Sequence, residues 1–214
     1  MACVLFSRPD HDVILSYLYI YSKELVAASI SLGHKTINKE KQYATKRNIV
    51  GIIQKQKPEL IMFNGHGNEK VICGHDNEII IQSDSNEQVL CNTITYSLAC
   101  SSNAELGPLA VVRGGCFVGY ESDFALGRDP DSEAVPHRDK IAKLFLEPSN
   151  ILFNSLLKGN EAKEAVEKAK RKMKENIWYL NTTNDFPEAS YYAPFLFGNY
   201  LSLVVHGNKN ASIM

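Results

Sequence analysis

Leu60-Ile61-Met62-Phe63 is an unbroken apolar run, preceded by Glu59 and followed at once by Asn64-Gly65-His66-Gly67. A short apolar run that ends in a glycine-rich turn reads as a strand buried on both faces, the kind found in parallel sheets. Outward from it, the same pattern recurs at Cys3–Phe6, at Thr93–Leu98 leading into Ala99-Cys100, and at Cys116–Tyr120. The intervals between these runs carry helical spacing. From Asp12 to Leu32 the apolar residues fall at Val13, Ile14, Tyr17, Leu18, Tyr21, Leu25 and Ala28, and Gly33 closes the segment where a C-terminal glycine belongs. His34–Asn38 reads as a second strand. Tyr43–Gln56, with Ala44, Ile49, Ile52 and Ile53 on one side, reads as a helix ending before Pro58.

The remainder continues the alternation. Val71–Cys73 and Glu78–Gln82 flank Gly74-His75-Asp76-Asn77 as a hairpin, and Ala104–Arg113 is helical up to Gly114-Gly115. Glu121–Arg138 holds Gly127, Pro130, Pro136 and several acids without periodicity, so a long surface loop is expected; such loops are commonly functional. Asp139–Leu157 reads as a helix broken at Pro148, Asn160–Leu180 as a second helix, and Phe195–Val205 as a last strand. Strands separated by crossover helices predict an α/β fold in one domain over residues 1–214, its mostly parallel central sheet flanked by helices on both faces.

Composition narrows the function. The 214 residues carry 23 Lys and Arg against 24 Asp and Glu, a net charge of -1, which removes the basic field needed for non-specific nucleic-acid binding. Five cysteines with no CxxC pair argue against a disulfide scaffold and for a reducing compartment. Met1–Phe6 is too short for a signal peptide, and Tyr191–Val205 is interrupted by Pro194, Asn199 and Ser202. A cytoplasmic protein with no membrane partner is therefore expected.

In open parallel sheets reactive groups gather beyond the carboxyl ends of the strands. Two such ends are conspicuous: His66 between Gly65 and Gly67, and Cys100 after Ser97-Leu98-Ala99. If their strands are neighbours, a cysteine and an imidazole face one groove. Cysteine attacks as its thiolate, and an imidazole can take the thiol proton and later return it to a leaving amine. The glycines would admit a substrate backbone, and the Gly67 and Cys100 amides could form an oxyanion hole. Taken singly, a strand-end cysteine is commonly a small packing residue and a histidine in a glycine turn a loop residue. Their joint placement is what points to chemistry.

An apolar strand ending in His-Gly, then one ending in Ala-Cys, resembles the pattern of the caspase-like cysteine peptidases of clan CD, which include caspases, metacaspases, legumain, gingipains, separase and CHAT domains. The 34-residue interval from His66 to Cys100 accommodates the hairpin such proteins place between the motifs. Tyr191-Tyr192-Ala193-Pro194-Phe195-Leu196-Phe197-Gly198 is similar to the aromatic segment that ends CHAT and some gingipain-like domains, and Thr36-Ile37-Asn38 to their second strand. Within the clan the likeness runs towards CHAT and bacterial caspase-like domains. It implies a caspase-like sheet and a cysteine endopeptidase with His66 as base and Cys100 as nucleophile. It also implies a peptide or protein substrate; a minimal domain of this length is compatible with control by a separate regulatory protein, and with no GxGxxG or Walker pattern no cofactor is expected. Ser-Leu-Ala-Cys departs from the Gln-Ala-Cys of caspases, which argues against aspartate specificity.

Residues after the strand following the nucleophile help choose the substrate in such folds. Glu121 and Asp123 there would favour Arg or Lys before the scissile bond, and Arg8 would either pair with them or meet an acidic substrate residue. Arg128 and Arg138 in the loop are then candidate self-cleavage sites. An interaction module, silent or awaiting a partner, is the alternative. Cys73 and His75, with His66 or Cys91, match no closed zinc spacing, so no metal is expected. Lys168–Lys174 alternates with glutamates and reads as a solvated helix face, and His206-Gly207 as tail.

Overall fold

The structure, a computed structural model, describes residues 1–186 and 188–213. Its central sheet is built from β1 (Cys3–Arg8), β2 (Lys35–Glu40), β3 (Leu60–Phe63), β7 (Ile94–Ser97), β8 (Cys116–Tyr120) and β9 (Leu203–Gly207), in the order β2-β1-β3-β7-β8-β9. All neighbours run parallel except β9, which returns antiparallel to β8. This is the mixed α/β architecture that the alternating pattern predicts.

Alternate side chains of each strand feed two separate cores. Val4, Phe6, Met62, Tyr96 and Val118 pack beneath α1 (Val13–Tyr21), α2 (Lys23–Ser31), α5 (Lys140–Leu157), α6 (Ala162–Thr182) and α7 (Ala189–Ser202). Leu5, Ile61, Phe63 and Phe117 face the other way, onto α3 (Lys46–Gln56), α4 (Leu106–Ala110) and a small antiparallel sheet of β4 (Gly67–Asn68), β5 (Val71–Cys73) and β6 (Ile79–Gln82). The expected hairpin is thus present, with a third strand that begins at the glycine after His66.

Three local expectations change. The segment expected as one helix from Asp12 to Leu32 is two helices joined at Ser22, whose hydroxyl donates to the Leu18 carbonyl at 2.7 Å. By length and composition Val13–Ser31 could cross a membrane, but Leu15, Tyr17, Leu18 and Leu25 are buried in the core. Pro148 does not break α5. Proline leaves the carbonyl four residues earlier without its helical donor, and that carbonyl, of Leu144, accepts instead from buried Asn176 Nδ2 at 2.7 Å. The expected strand over Phe195–Val205 is helix as far as Ser202. Its aromatic residues carry strand propensity, yet Ala189, Ala193, Leu196 and Asn199 fall on one buried helical face that the tertiary core selects.

Candidate active site

β3 and β7 are adjacent, with Phe63 opposite Ser97, so His66 and Cys100 each stand three residues beyond one register pair on the same sheet edge. The turn carrying His66 is tightly fixed. A Cβ at Gly65 would come within 2.2 Å of the Cys73 carbonyl oxygen; one at Gly67 would meet the Val71 carbonyl at 2.5 Å, the Ala99 Cβ at 2.8 Å and the Cys100 carbonyl at 3.5 Å. The glycines are needed for the close approach of the protein's own β5 strand and of the Cys100 turn, where the sequence suggested room for substrate. Cys73 N–H donates to the His66 carbonyl at 2.9 Å, which makes the next pair, Gly67 and Ile72, a non-hydrogen-bonded pair of the ladder. The Gly67 N–H is therefore directed away from β5.

His66 Nε2 lies 2.6 Å from Asp12 Oδ2, with both side chains about a third exposed (39% and 35%). The other carboxylate oxygen, Oδ1, accepts from Leu15 N–H at 2.9 Å and caps α1. Burial opposes the charge on Asp12, but the Leu15 N–H and the His66 bond outweigh it and hold the carboxyl below its ordinary range. With Nε2 engaged, Nδ1 is the ring nitrogen left to take a proton. Asp12 is the site residue that sequence reading missed. It served there as the start of the first helix, although an N-cap following β1 necessarily lies on the carboxyl edge of the sheet.

Cys100 is partly buried, and the next residue, Ser101, has φ of 52°, a left-handed conformation that turns the chain sharply after the thiol. Burial pushes the thiol pKa up; the Phe124 N–H, which hydrogen-bonds the sulfur, pulls it back; and the nearby Asp123 charge adds to the rise. The thiol is thus kept protonated at neutral pH and needs a base to become a nucleophile.

The three expected substrate contacts separate. Asp123 stays beside the thiol and accepts from Ser101 Oγ at 2.7 Å. Glu121 turns to the sheet edge, where His206 Nε2 sits 3.2 Å from its Oε1, so His206 belongs to β9 and is not tail. Arg8 is a correction: only 1% exposed, it cannot reach a substrate or either acid. Its guanidinium donates to Ser22 Oγ (2.7 Å), the Tyr19 carbonyl (2.6 Å), Asn38 Oδ1 (3.4 Å) and Glu40 Oε2 (3.2 Å). Asn64 Nδ2 reaches the same Ser22 hydroxyl at 3.1 Å, so this network locks the ends of β1 and β3 under the His66 turn.

The loop after β8 is irregular, as expected, apart from short 3-10 turns at Pro130–Ser132 and Pro136–Arg138. Its far end is pinned by Asp139, whose buried carboxylate accepts from Tyr17 Oη, Asp129 N–H and Ile141 and Ala142 N–H, each at 2.8–2.9 Å. Arg128 is paired with Glu133.

Neither a protein-family model nor a curated protein matches this chain. Among solved structures it is similar to the complex of Porphyromonas gingivalis RgpB pro- and mature domains. The TM-score is 0.58 at 11% identity, over 98% of this chain and 47% of that one. The chain spans about half the length of that structure's chain, and identity so low speaks for the fold alone. What the two share is the fold, which in this chain is a mostly parallel six-stranded sheet flanked by helices, as the alternating pattern predicts.

Proposed function

We propose that the protein is a cysteine endopeptidase of the caspase-like clan, nearest in kind to CHAT and bacterial caspase-like domains. The observation that carries this reading is the pairing of β3 with β7, which brings His66 and Cys100 to one sheet edge with Gly67 packed on the Ala99-Cys100 turn. In the reaction, His66 Nδ1 takes the Cys100 proton while its Nε2–H keeps donating to the Asp12 carboxylate, so the imidazolium faces a charge that stabilises it. The thiolate adds to the scissile carbonyl, whose oxygen takes the negative charge against the Gly67 and Cys100 N–H groups. His66 then returns the proton to the leaving amine, and water releases the acyl group. Asp123, exposed beside the thiol, is the carboxylate suited to an Arg or Lys side chain, with Glu121 already occupied by His206.

A second reading, an interaction module activated by a partner protein, draws on the raised pKa of Cys100, which disfavours the nucleophilic form. Cleavage of a basic-residue peptide substrate decides between them. Turnover lost in Cys100→Ala, together with labelling of Cys100 by an acylating probe, supports the peptidase; turnover unchanged in that variant rules out the dyad. Failure to label Cys100 with any partner present leaves the interaction module.

A further inference from the structure

Beside the dyad, three imidazoles converge from separate parts of the sequence. His11 lies edge-on to His66 (ring centroids 6.2 Å apart) and to His75 (5.2 Å). His11 is nearly enclosed, with its side chain 11% exposed, and its Nε2 is buried without a hydrogen-bond partner. That nitrogen points to the same Asp12 oxygen that holds His66, at 3.8 Å, beyond hydrogen-bonding reach. His75 Nδ1 is a second buried nitrogen without a partner. The donor atoms of His11, Asp12 and His66 all lie within 4.8 Å of one another.

The geometry points to a zinc-class divalent metal site formed by His11 Nε2, Asp12 Oδ2 and His66 Nε2, with water in the fourth position, whose filling withdraws the base from Cys100. A tetrahedral ion bound at about 2.0–2.1 Å needs its donors roughly 3.3 Å apart. The two separations to Asp12 Oδ2, 2.6 and 3.8 Å, bracket that figure and each needs a sub-ångström shift, while the two imidazole nitrogens lie within 4.8 Å of each other and close in on the ion together. Two imidazoles and a carboxylate, with an open position, form a set that suits zinc and its neighbours. This is not the Cys73/His75 pattern that sequence spacing rejected. It joins residues from the β1–α1 turn to the turn after β3, and only the fold brings them together.

The protons balance without an acid or base from elsewhere. Each neutral imidazole keeps one proton, which moves through solvent from Nε2 to Nδ1 as the metal takes the Nε2 lone pair. At His11 this opens one contact, the Asp76 N–H donating to Nδ1 at 3.3 Å, which is at the long end of such bonds. At His66 it places a proton on the nitrogen that must accept one from the thiol. A metal-loaded chain therefore cannot generate the Cys100 thiolate. The inhibitory consequence rests on the peptidase reading, whereas the metal site does not.

The test separates the two. Cobalt(II) is titrated into the full chain carrying Cys100→Ala, followed by visible absorption and calorimetry. The expected result is one ion per chain with tetrahedral d–d bands, displaced by zinc, and weakened at least ~10-fold by His11→Gln and by His66→Gln. Because His66 is partly exposed, the second variant keeps the test meaningful if His11→Gln fails to fold. The site is overturned by no uptake, by uptake indifferent to both variants, or by uptake that needs the Cys100 sulfur. Zinc added to the unsubstituted chain should stop peptide cleavage and a chelator restore it; cleavage undiminished at saturating zinc overturns the switch. Cobalt uptake as described in a chain without any peptidase activity upholds the site and removes the peptidase reading instead.

Discussion

The two arms of the site are built differently. The histidine arm is fixed on every side: Gly65 and Gly67 lie against β5 and the Cys100 turn, Asp12 clamps the ring, and the Arg8–Ser22–Asn64 network supports the strand ends beneath it. The cysteine arm rests on a left-handed Ser101, one N–H from Phe124 and exposed Asp123. On the proposed peptidase reading the base is positioned in advance, whereas ionisation of the nucleophile depends on the Asp123–Phe124 stretch beside it. On that same reading, a fixed base stands beside a more adjustable thiol.

The comparison can be broken most strongly on the rigid side. Gly65→Ala forces a Cβ into the Cys73 carbonyl, and thermal or denaturant unfolding should show a loss of roughly 2–4 kcal/mol, with activity falling alongside. Asp12→Asn keeps a capping oxygen for α1 but removes the charge facing His66. Peptide turnover should drop about 100-fold with stability within about 0.5 kcal/mol of the parent, and an equal loss of both would make Asp12 a cap only. Asn176→Leu, remote from both arms, strands the Leu144 carbonyl above Pro148; unfolding should register about 1–3 kcal/mol with kcat unchanged. The smallest change belongs to the adjustable side. Asp123 raises the Cys100 pKa, so Asp123→Asn should lower it and move the pH midpoint of Cys100 alkylation, read by peptide mapping, downward. An upward or absent shift would mean that Asp123 does not act on the thiol.

How much of this could be read from the chain alone follows from which interactions are local. The strands Leu60–Phe63 and Cys116–Tyr120 are legible because complete burial demands unbroken apolar runs, and the motifs at their ends follow from where a parallel sheet presents its loops. Residues held by distant partners are not legible. Arg8 looked like a surface charge near the site because nothing nearby in sequence announces Ser22 or Glu40 as its partners. Pro148 looked like a helix breaker because the donor that repairs it is on another helix. Asp12 was visible only as the start of a helix, yet one of its carboxylate oxygens finds His66 across 54 positions of sequence. Aromatic-rich Phe195–Val205 read as strand because propensity is local, whereas the core selects a helix as far as Ser202.

The Asp139 anchor has a consequence for a cut chain. Asp129 N–H already sits 2.8 Å from the buried Asp139 carboxylate, directly after Arg128. Hydrolysis of the Arg128–Asp129 bond would turn that neutral amide into an ammonium group, and the existing hydrogen bond into an ion pair enclosed between α1 and α5. A proteolytic scission, usually a loosening event, would here fasten the new terminus in place. A nicked chain of this kind should therefore melt above the intact Cys100→Ala protein, and the advantage should fade as alkaline pH discharges the new amine.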